Sequence, residues 1–243
     1  MVNGKVIEKL KDFLRESRYT VVLTGAGIST ESGIPDFRSK DGWWKKIEPS
    51  QVASVNALIH NYELFREFYK YRIKMLEGCK FNRGHKILAD WEEKGLIKAV
   101  VTQNIDGFHE DAGSRKVYEL HGAINAIRCH ACGKKHTVED FVNDRQCEGC
   151  GGNLRPGVVL FGEGLPTDVL NEAYEEILKS DLLLVIGTSL NVSPVNSLPS
   201  VAKGRRVLIN AEKTLMDNLF DLVINARAGM VLEEVNKALR ETY

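Results

Sequence analysis

The 243-residue sequence predicts an α/β fold: one parallel sheet with helices on both faces, and a smaller domain beside it. Three observations carry that expectation. Short, nearly unbroken apolar runs such as TVVLTG (20–25), IKAVVTQN (97–104) and DLLLVIGTS (181–189) suit strands buried on both faces. Amphipathic helical stretches separate these runs, as the crossovers of a parallel sheet require. Two segments, 37–83 and 125–157, break the alternation and read as insertions.

Residues 5–17 place Val6, Leu10, Phe13 and Leu14 on one helical face, ahead of the strand at 20–25 and its glycine turn. HKILADWEEKGL (85–96) reads as a helix stopped at Gly95, and the strand at 97–104 follows. GVVLFGE (157–163), a helix after Pro166 and DLLLVIGTS form a further predicted β-α-β unit. RRVLINAE (205–212) and DLVINA (221–226) add two strands, and VLEEVNKALRE (231–241) closes the chain as a helix. Residues 37–83 are helical without an obvious strand; 125–157 are polar, with little core potential. The expected division is 1–36, 84–124 and 158–243 for the sheet domain, with 37–83 and 125–157 forming the small one.

Hydrophobic content of 43% and charged content of 27% fit a soluble globular protein. A formal net charge of zero gives no steering toward nucleic acid or an anionic membrane. No apolar run is long enough to span a bilayer. The opening MVNGKVIEKLKDFLRES is charged and amphipathic and lacks the apolar centre of a secretory signal, so a cytoplasmic location is expected.

Cys129, Cys132, Cys147 and Cys150 give C-x2-C, fourteen residues, then C-x2-C. Two such pairs complete a tetrahedral sulfur site that fits zinc better than an iron–sulfur centre or four unrelated buried cysteines. Four thiolates leave no open coordination position, so the metal is expected to be structural. His130 and His136 are not needed as ligands, and the interleaved Glu139, Asp140, Asp144 and Glu148 argue against a phosphate-binding finger. Cys79 has no identifiable histidine partner and reads as a small buried hydrophobe.

The stretch VVLTGAGISTESGIPDFRS (21–39) opens like a dinucleotide-binding turn, which makes the sheet Rossmann-like. Gly25 and Gly27 allow close backbone approach to a pyrophosphate, but the next glycine, Gly33, comes three positions late. Pro35 and the other turn formers bias 29–39 toward a loop over the far end of a dinucleotide, with Asp36, Phe37 and Arg38 shaping its nicotinamide end. Polar residues recur after the other strands: Gln103, Asn104, Asp106 and His109; Thr188 and Ser189 after Gly187; Asn210 and Glu212. That is the edge where such sheets bind ligands, and Asn210 and Glu212 suit a ribose diol. His121, before Gly122 at the junction of the two domains, could deprotonate a ribose hydroxyl.

Together these residues resemble the sirtuin (Sir2) family of NAD-dependent protein lysine deacylases. The resemblance covers nearly the whole chain: GAGIS (25–29), GIPDFR (33–38), QNID (103–106), HG (121–122), the four cysteines, FGE (161–163), GTS (187–189) and Asn210 to Glu212. It implies a flexible cofactor loop through STESGIPDFR and one structural zinc. NAD binding would involve Gly25, Ala26, Gly27, Ser29, Ile34, Asp36, Phe37, Arg38, Gln103, Asn104, Ile105 and Asp106, with Gly187, Thr188, Ser189, Asn210 and Glu212. Ala26, Ile34 and Asp106 would surround the nicotinamide amide, Asn104 its ribose, and Phe37 would shield C1′. His121 would be the general base, with Asn104 and Asp106 assisting. In the implied reaction the acyl-lysine carbonyl oxygen attacks C1′ and expels nicotinamide, giving an alkylimidate; a ribose hydroxyl activated by His121 attacks the imidate carbon, and water releases free lysine and 2′-O-acyl-ADP-ribose.

The resemblance further implies an acylated protein lysine presented on an extended peptide. Gly162, Glu163 and Gly164, with Asn191, Val192 and Ser193, would clamp that peptide as an added strand, and Val159 and Phe161 would wall the lysine tunnel. Ala53, sixteen residues before Tyr69, and the Tyr69-x-x-Arg72 pair resemble the bacterial and archaeal subgroup that removes succinyl and malonyl groups. Arg72 can pair bidentately with an acyl carboxylate while Tyr69 donates to it and Ala53 leaves room. Acetyl-lysine would remain a substrate. Two other functions share these residues: a protein ADP-ribosyltransferase, and a non-catalytic NAD or ADP-ribose binding module with a zinc-braced interaction surface.

Overall fold

A computed structural model describes residues 3–35 and 48–240. The apolar runs form β1 (Thr20–Thr24), β2 (Ala99–Thr102), β6 (Leu182–Ile186), β7 (Arg205–Ile209) and β8 (Leu222–Ile224). With β3 (Val117–Glu119) they make one parallel sheet in the order β3-β2-β1-β6-β7-β8. Every residue of β1, β2 and β6 is buried, so these strands need no polar face. The sequence reading misses β3, whose three half-buried residues carry no apolar run.

Alternate residues of the strands serve opposite layers. Val22, Val100, Leu184 and Val207 pack under α1 (Gly4–Glu16), α5 (Arg83–Glu93) and α9 (Ala228–Arg240), which bring Leu10, Leu14, Leu88, Trp91 and Val235. Val21, Leu23, Leu183 and Leu208 meet α8 (Thr167–Lys179) and a 3-10 segment at Val195–Val201 through Ala173, Ile177 and Leu198.

The expected strand GVVLFGE does not join this sheet. Only its first two residues, Gly157 and Val158, are in a strand, the end of β5 (Leu154–Val158), which pairs antiparallel with β4 (Gly122–Cys129) as a separate two-stranded sheet. Pro156 lacks the N–H that a central strand must donate. Close approach also fixes the pairing: a Cβ on Gly122 would lie 2.1 Å from the Gly157 carbonyl oxygen.

The two insertions bury a core jointly. Val52 of α2 (Pro49–Val52), Leu58 of α3 (Val55–His60), and Phe65 and Tyr69 of α4 (Tyr62–Glu77) pack with Ile127, Leu154 and Phe141 of α7 (Val138–Val142). Residues 125–157 thus bury more apolar side chains than their polarity suggests, because the partners come from the other insertion. No helix among the described residues is long and apolar enough to cross a membrane.

Candidate functional site

Strand order reverses between β1 and β6, and the carboxyl ends of two such neighbours diverge around a crevice. Their terminal residues Thr24 and Ile186 are in register, so the turns at Gly25 and Gly187 lie side by side. The Gly25 N–H donates to the Ile186 carbonyl at 3.0 Å and the Gly27 N–H to the Gly187 carbonyl at 2.8 Å. A Cβ on Gly25 would sit 2.8 Å from Thr188 Cβ, and one on Gly27 2.7 Å from Gly187 Cα. These glycines therefore let two turns interlock, a demand that the sequence assigns to a pyrophosphate alone. After Gly25 the chain makes only two 3-10 turns, Ala26–Ile28 and Thr30–Ser32, before Gly33 at φ 88°. With no long helix there, the usual third glycine of a dinucleotide turn has no helix–strand contact to make.

Two cavities open at this edge. One, of about 550 Å3, is lined by Gly25, Ala26, Gly27 and Ile34, by Gln103 and Asn104, by Gly187, Thr188 and Ser189, and by Asn210 and Glu212. Thr30, Glu31, Pro35, Arg227 and Ala228 also line it. Thr30, Glu31 and Pro35 belong to the stretch STESGIPDFR that the resemblance assigns to the cofactor loop; Arg227 and Ala228 go unnoticed between the expected strand at 221–226 and the expected helix at 231–241. Asp36, Phe37 and Arg38 lie outside the described residues. The other cavity, of about 520 Å3, holds Ala53, Tyr69 and Arg72, Val159 and Phe161, Gly162, Glu163 and Gly164, and Asn191, Val192 and Ser193. Ser29, Ile105 and Asp106 line it too. His121 borders both cavities, with Ala26, Ile34, Gln103 and Asn104.

The tautomer of His121 follows from one contact. Its Nδ1 is 2.9 Å from the Gln103 carbonyl, which can only accept, so Nδ1 carries the proton and Nε2 keeps its lone pair. Below it runs a buried relay. The Asn82 N–H donates to His85 Nδ1 at 3.2 Å, which leaves His85 Nε2 as the donor to Ser29 Oγ at 3.4 Å. Ser29 Oγ donates to Asp106 Oδ2 at 2.7 Å, and Asn104 Nδ2 donates to Ser29 Oγ at 3.2 Å. His85 goes unnoticed in the sequence because it looks like an ordinary residue of an amphipathic helix. His109, singled out after β2, lies on the short α6 (Phe108–Asp111) and lines neither cavity. It is buried, with Nε2 2.9 Å from Thr24 Oγ1.

Burial sets the local electrostatics. It pushes the Asp106 carboxyl up, against the hydrogen bonds from Ser29 and the Phe108 N–H and the pull of Arg72. It pushes the Tyr69 hydroxyl up to about 12, so this side chain remains a donor. Arg72 is 8% exposed, and although burial pulls it downward a guanidinium stays charged. The second cavity thus combines apolar walls with a fixed cation and a phenol. Glu163 lines this cavity with its carboxylate held by Arg155.

The four cysteines meet where β4 ends and β5 begins. Their sulfurs all lie within 4.8 Å of one another, with Cys129 and Cys150 at 3.5 Å and Cys132 and Cys147 at 3.6 Å. Zinc–thiolate bonds of about 2.3 Å place tetrahedral sulfurs at about that separation, so the donor set fits zinc. Cys79 is half-buried rather than fully buried, with Sγ 3.3 Å from the Met75 carbonyl oxygen.

A model described as the Sir2 family matches residues 25–194, from the first glycine of the interlocked turns to the end of the second cavity's wall. The chain belongs to the Sir2 family. It is an enzyme, and its relatives match it almost end to end. NAD-dependent protein deacetylase 1 of Geobacillus kaustophilus (strain HTA426) is 50% identical to this Sir2 chain, over 96% of it and 98% of that protein. The NAD-dependent protein deacylase of Aquifex aeolicus (strain VF5) is 44% identical, over 94% of this chain and 98% of its own. A solved Sir2–p53 peptide–NAD+ complex is 40% identical, covers 97% of this chain and 98% of that one, and superposes at a TM-score of 0.86.

Proposed function

We propose that this Sir2 enzyme removes acyl groups from protein lysines with consumption of NAD, giving nicotinamide, free lysine and 2′-O-acyl-ADP-ribose. The observation that carries this is the place of His121, which lines both cavities with its Nδ1 held by the Gln103 carbonyl. One cavity suits a dinucleotide; the other suits an acyl-lysine. When bound, NAD supplies an activated glycosidic bond and the ribose that takes up the acyl group. Nε2 of His121 accepts the proton of a ribose hydroxyl, while the Gln103 carbonyl steadies Nδ1–H on the resulting imidazolium. Asn104 and Asp106, positioned through Ser29, address the nicotinamide end. Ala26 and Ile34 enclose it, and the polar ends of β6 and β7 hold phosphate and ribose.

Arg72, Tyr69 and Ala53 support a wider acyl range than acetyl, with succinyl and malonyl carboxylates reading against Arg72. Cys129, Cys132, Cys147 and Cys150 hold one structural zinc, which supplies bracing and no chemistry because no coordination position is left. On the same reading the Rossmann-like NAD domain comprises 1–36, 84–124 and 158–243, and the small domain 37–83 and 125–157. Cysteines grouped for a metal rather than for disulfides, with the formal net charge of zero, fit work in the cytoplasm on acylated lysines of extended peptides.

The test is NAD turnover on matched acetyl-, succinyl- and malonyl-lysine peptides, with mass spectrometry of both products. Nicotinamide and acyl-ADP-ribose in equal amounts are expected. Nicotinamide release with ADP-ribose left on protein would indicate a transferase instead, and no nicotinamide from any peptide would end the enzymatic reading.

A further inference from the structure

Arg155 has no exposed surface, although it carries a full charge in the middle of β5. A buried guanidinium is tolerated only when its donors are met and its charge is paired. Nε donates to the Pro156 carbonyl at 3.2 Å and Nη2 to the Val158 carbonyl at 2.6 Å. The fork also grips Glu163, with Nη1 to Oε1 at 2.6 Å and Nη2 to Oε2 at 2.9 Å. Glu163 Oε2 accepts a further bond from the Leu160 N–H at 2.9 Å. Burial alone would push this carboxyl up, yet Arg155 and the Leu160 amide hold it below the usual glutamate range.

The consequence is a closed turn at 160–163. The Glu163 N–H donates to the Leu160 carbonyl at 2.9 Å, and Gly162 takes φ 95°. On the outside, the Phe161 N–H donates to the Ala53 carbonyl and the Val55 N–H to the Phe161 carbonyl, each at 3.0 Å. The Val159 N–H donates to the His121 carbonyl at 2.9 Å. The amides of Val159, Leu160, Phe161 and Glu163 are therefore committed inside the protein. Those of Gly162 and Gly164 make no such bond among the described residues. An added peptide strand needs free backbone groups of this kind, held in register before the peptide arrives.

We propose that Arg155 is a positioning residue for peptide recognition: from inside β5 it clamps Glu163 and so fixes the 161–164 segment in the register that an extended acyl-lysine peptide pairs with. This rests on the deacylase reading above. Arg155 meets no substrate, and Glu163 acts through its carboxylate as the anchor of the segment. Loss of the clamp loosens the edge on which flanking peptide residues add; the lysine side chain meets this segment at Phe161, and NAD belongs to the other cavity.

Arg155→Lys keeps the charge and removes the fork. In the zinc-loaded protein, binding of a fluorescein-labelled acetyl-lysine peptide is expected to weaken about tenfold. NAD affinity should change less than about twofold, as the cavity assigned to NAD lies elsewhere, and kcat/KM for Nε-acetyl-lysine lacking flanking residues should fall by less than the peptide affinity does. Unchanged peptide affinity overturns the proposal. Equal losses on peptide and on the single-residue substrate overturn it too, because general loosening gives that pattern. If Arg155→Lys does not fold, Glu163→Gln, at a side chain 26% exposed, is read for peptide affinity alone, with the same loss expected and unchanged affinity overturning the proposal. Where both fold, the double variant should lose no more than either alone; additive losses would show Glu163 touching the peptide on its own account. Peptide binding is measured without turnover, so a native protein that released no nicotinamide would count against the activity and not against the clamp.

Discussion

At the scale of single residues, hydrogen-bond bookkeeping assigns protons that the sequence leaves open. His121 has its Nδ1 spoken for by a carbonyl, so the proposed base is Nε2. His121→Gln should lower kcat for acetyl-peptide by about 10²–10⁴ while NAD affinity holds, since a lost general base is worth that much. Nicotinamide release and isothermal titration of NAD read the two quantities, and a fall of less than about threefold in rate would remove His121 from the role. In the neighbouring cavity, Arg72→Met should lower kcat/KM for succinyl-peptide by about tenfold or more and spare acetyl-peptide, because only the former brings a carboxylate to pair. Comparable losses on both would make Arg72 a packing residue of α4. Tyr69, raised to about 12 by burial, remains protonated at any pH where the assay is run.

At the scale of elements, the interlock of two glycine turns is the strongest constraint near the site. Gly187 sits at φ 65°, and a Cβ there would lie 2.5 Å from the Ile28 amide nitrogen. Gly187→Ala should cost about 2–4 kcal/mol in chemical denaturation, through strain and overlap against backbone that cannot turn aside. A cost below about 1 kcal/mol would mean the turns yield easily. The β4–β5 pair poses the complementary case. It is short and leans on four cysteines, so chelating the metal should lower the melting temperature and expose the cluster of Phe65, Phe141 and Leu154. Chelator that leaves circular dichroism and melting unchanged would show that the hairpin stands without its metal.

At the scale of the whole molecule, two buried histidines make stability depend on acid. An unfolded histidine protonates near 6.5, whereas burial holds His85 down to about 4 and His109 down to about 3. Between those values the unfolded chain binds protons that the folded chain refuses. Stability is therefore full above 6.5 and is lost as pH falls toward 4 and below. Glu119 acts in the opposite sense. Burial, with Glu110 and Asp106 nearby, raises its carboxyl to about 7 from 4.5, so the folded chain keeps a proton that the unfolded chain has released. Its penalty grows as pH rises from 4.5 to 7 and is complete above that. Glu119→Gln should accordingly raise the melting temperature more at about pH 8 than at about pH 5; equal shifts at both would show that the carboxyl titrates normally.

The sequence by itself determined the sheet, the four-cysteine set and the residues at the strand ends, because each is a local pattern. Buried parallel strands read as apolar runs, knuckles as paired cysteines, and ligand edges as polar residues after a strand. Only the tertiary structure decided that GVVLFGE leaves the main sheet, that residues 125–157 gain a core from α4, and that β3 exists at all. It alone joined His85 to Ser29, Ser29 to Asp106 across 77 residues of chain, and Arg155 to the turn at Glu163. The physical reason is common to all of these. Periodicity records which side of an element is buried, whereas the partner that satisfies a buried polar group comes from wherever the fold brings it.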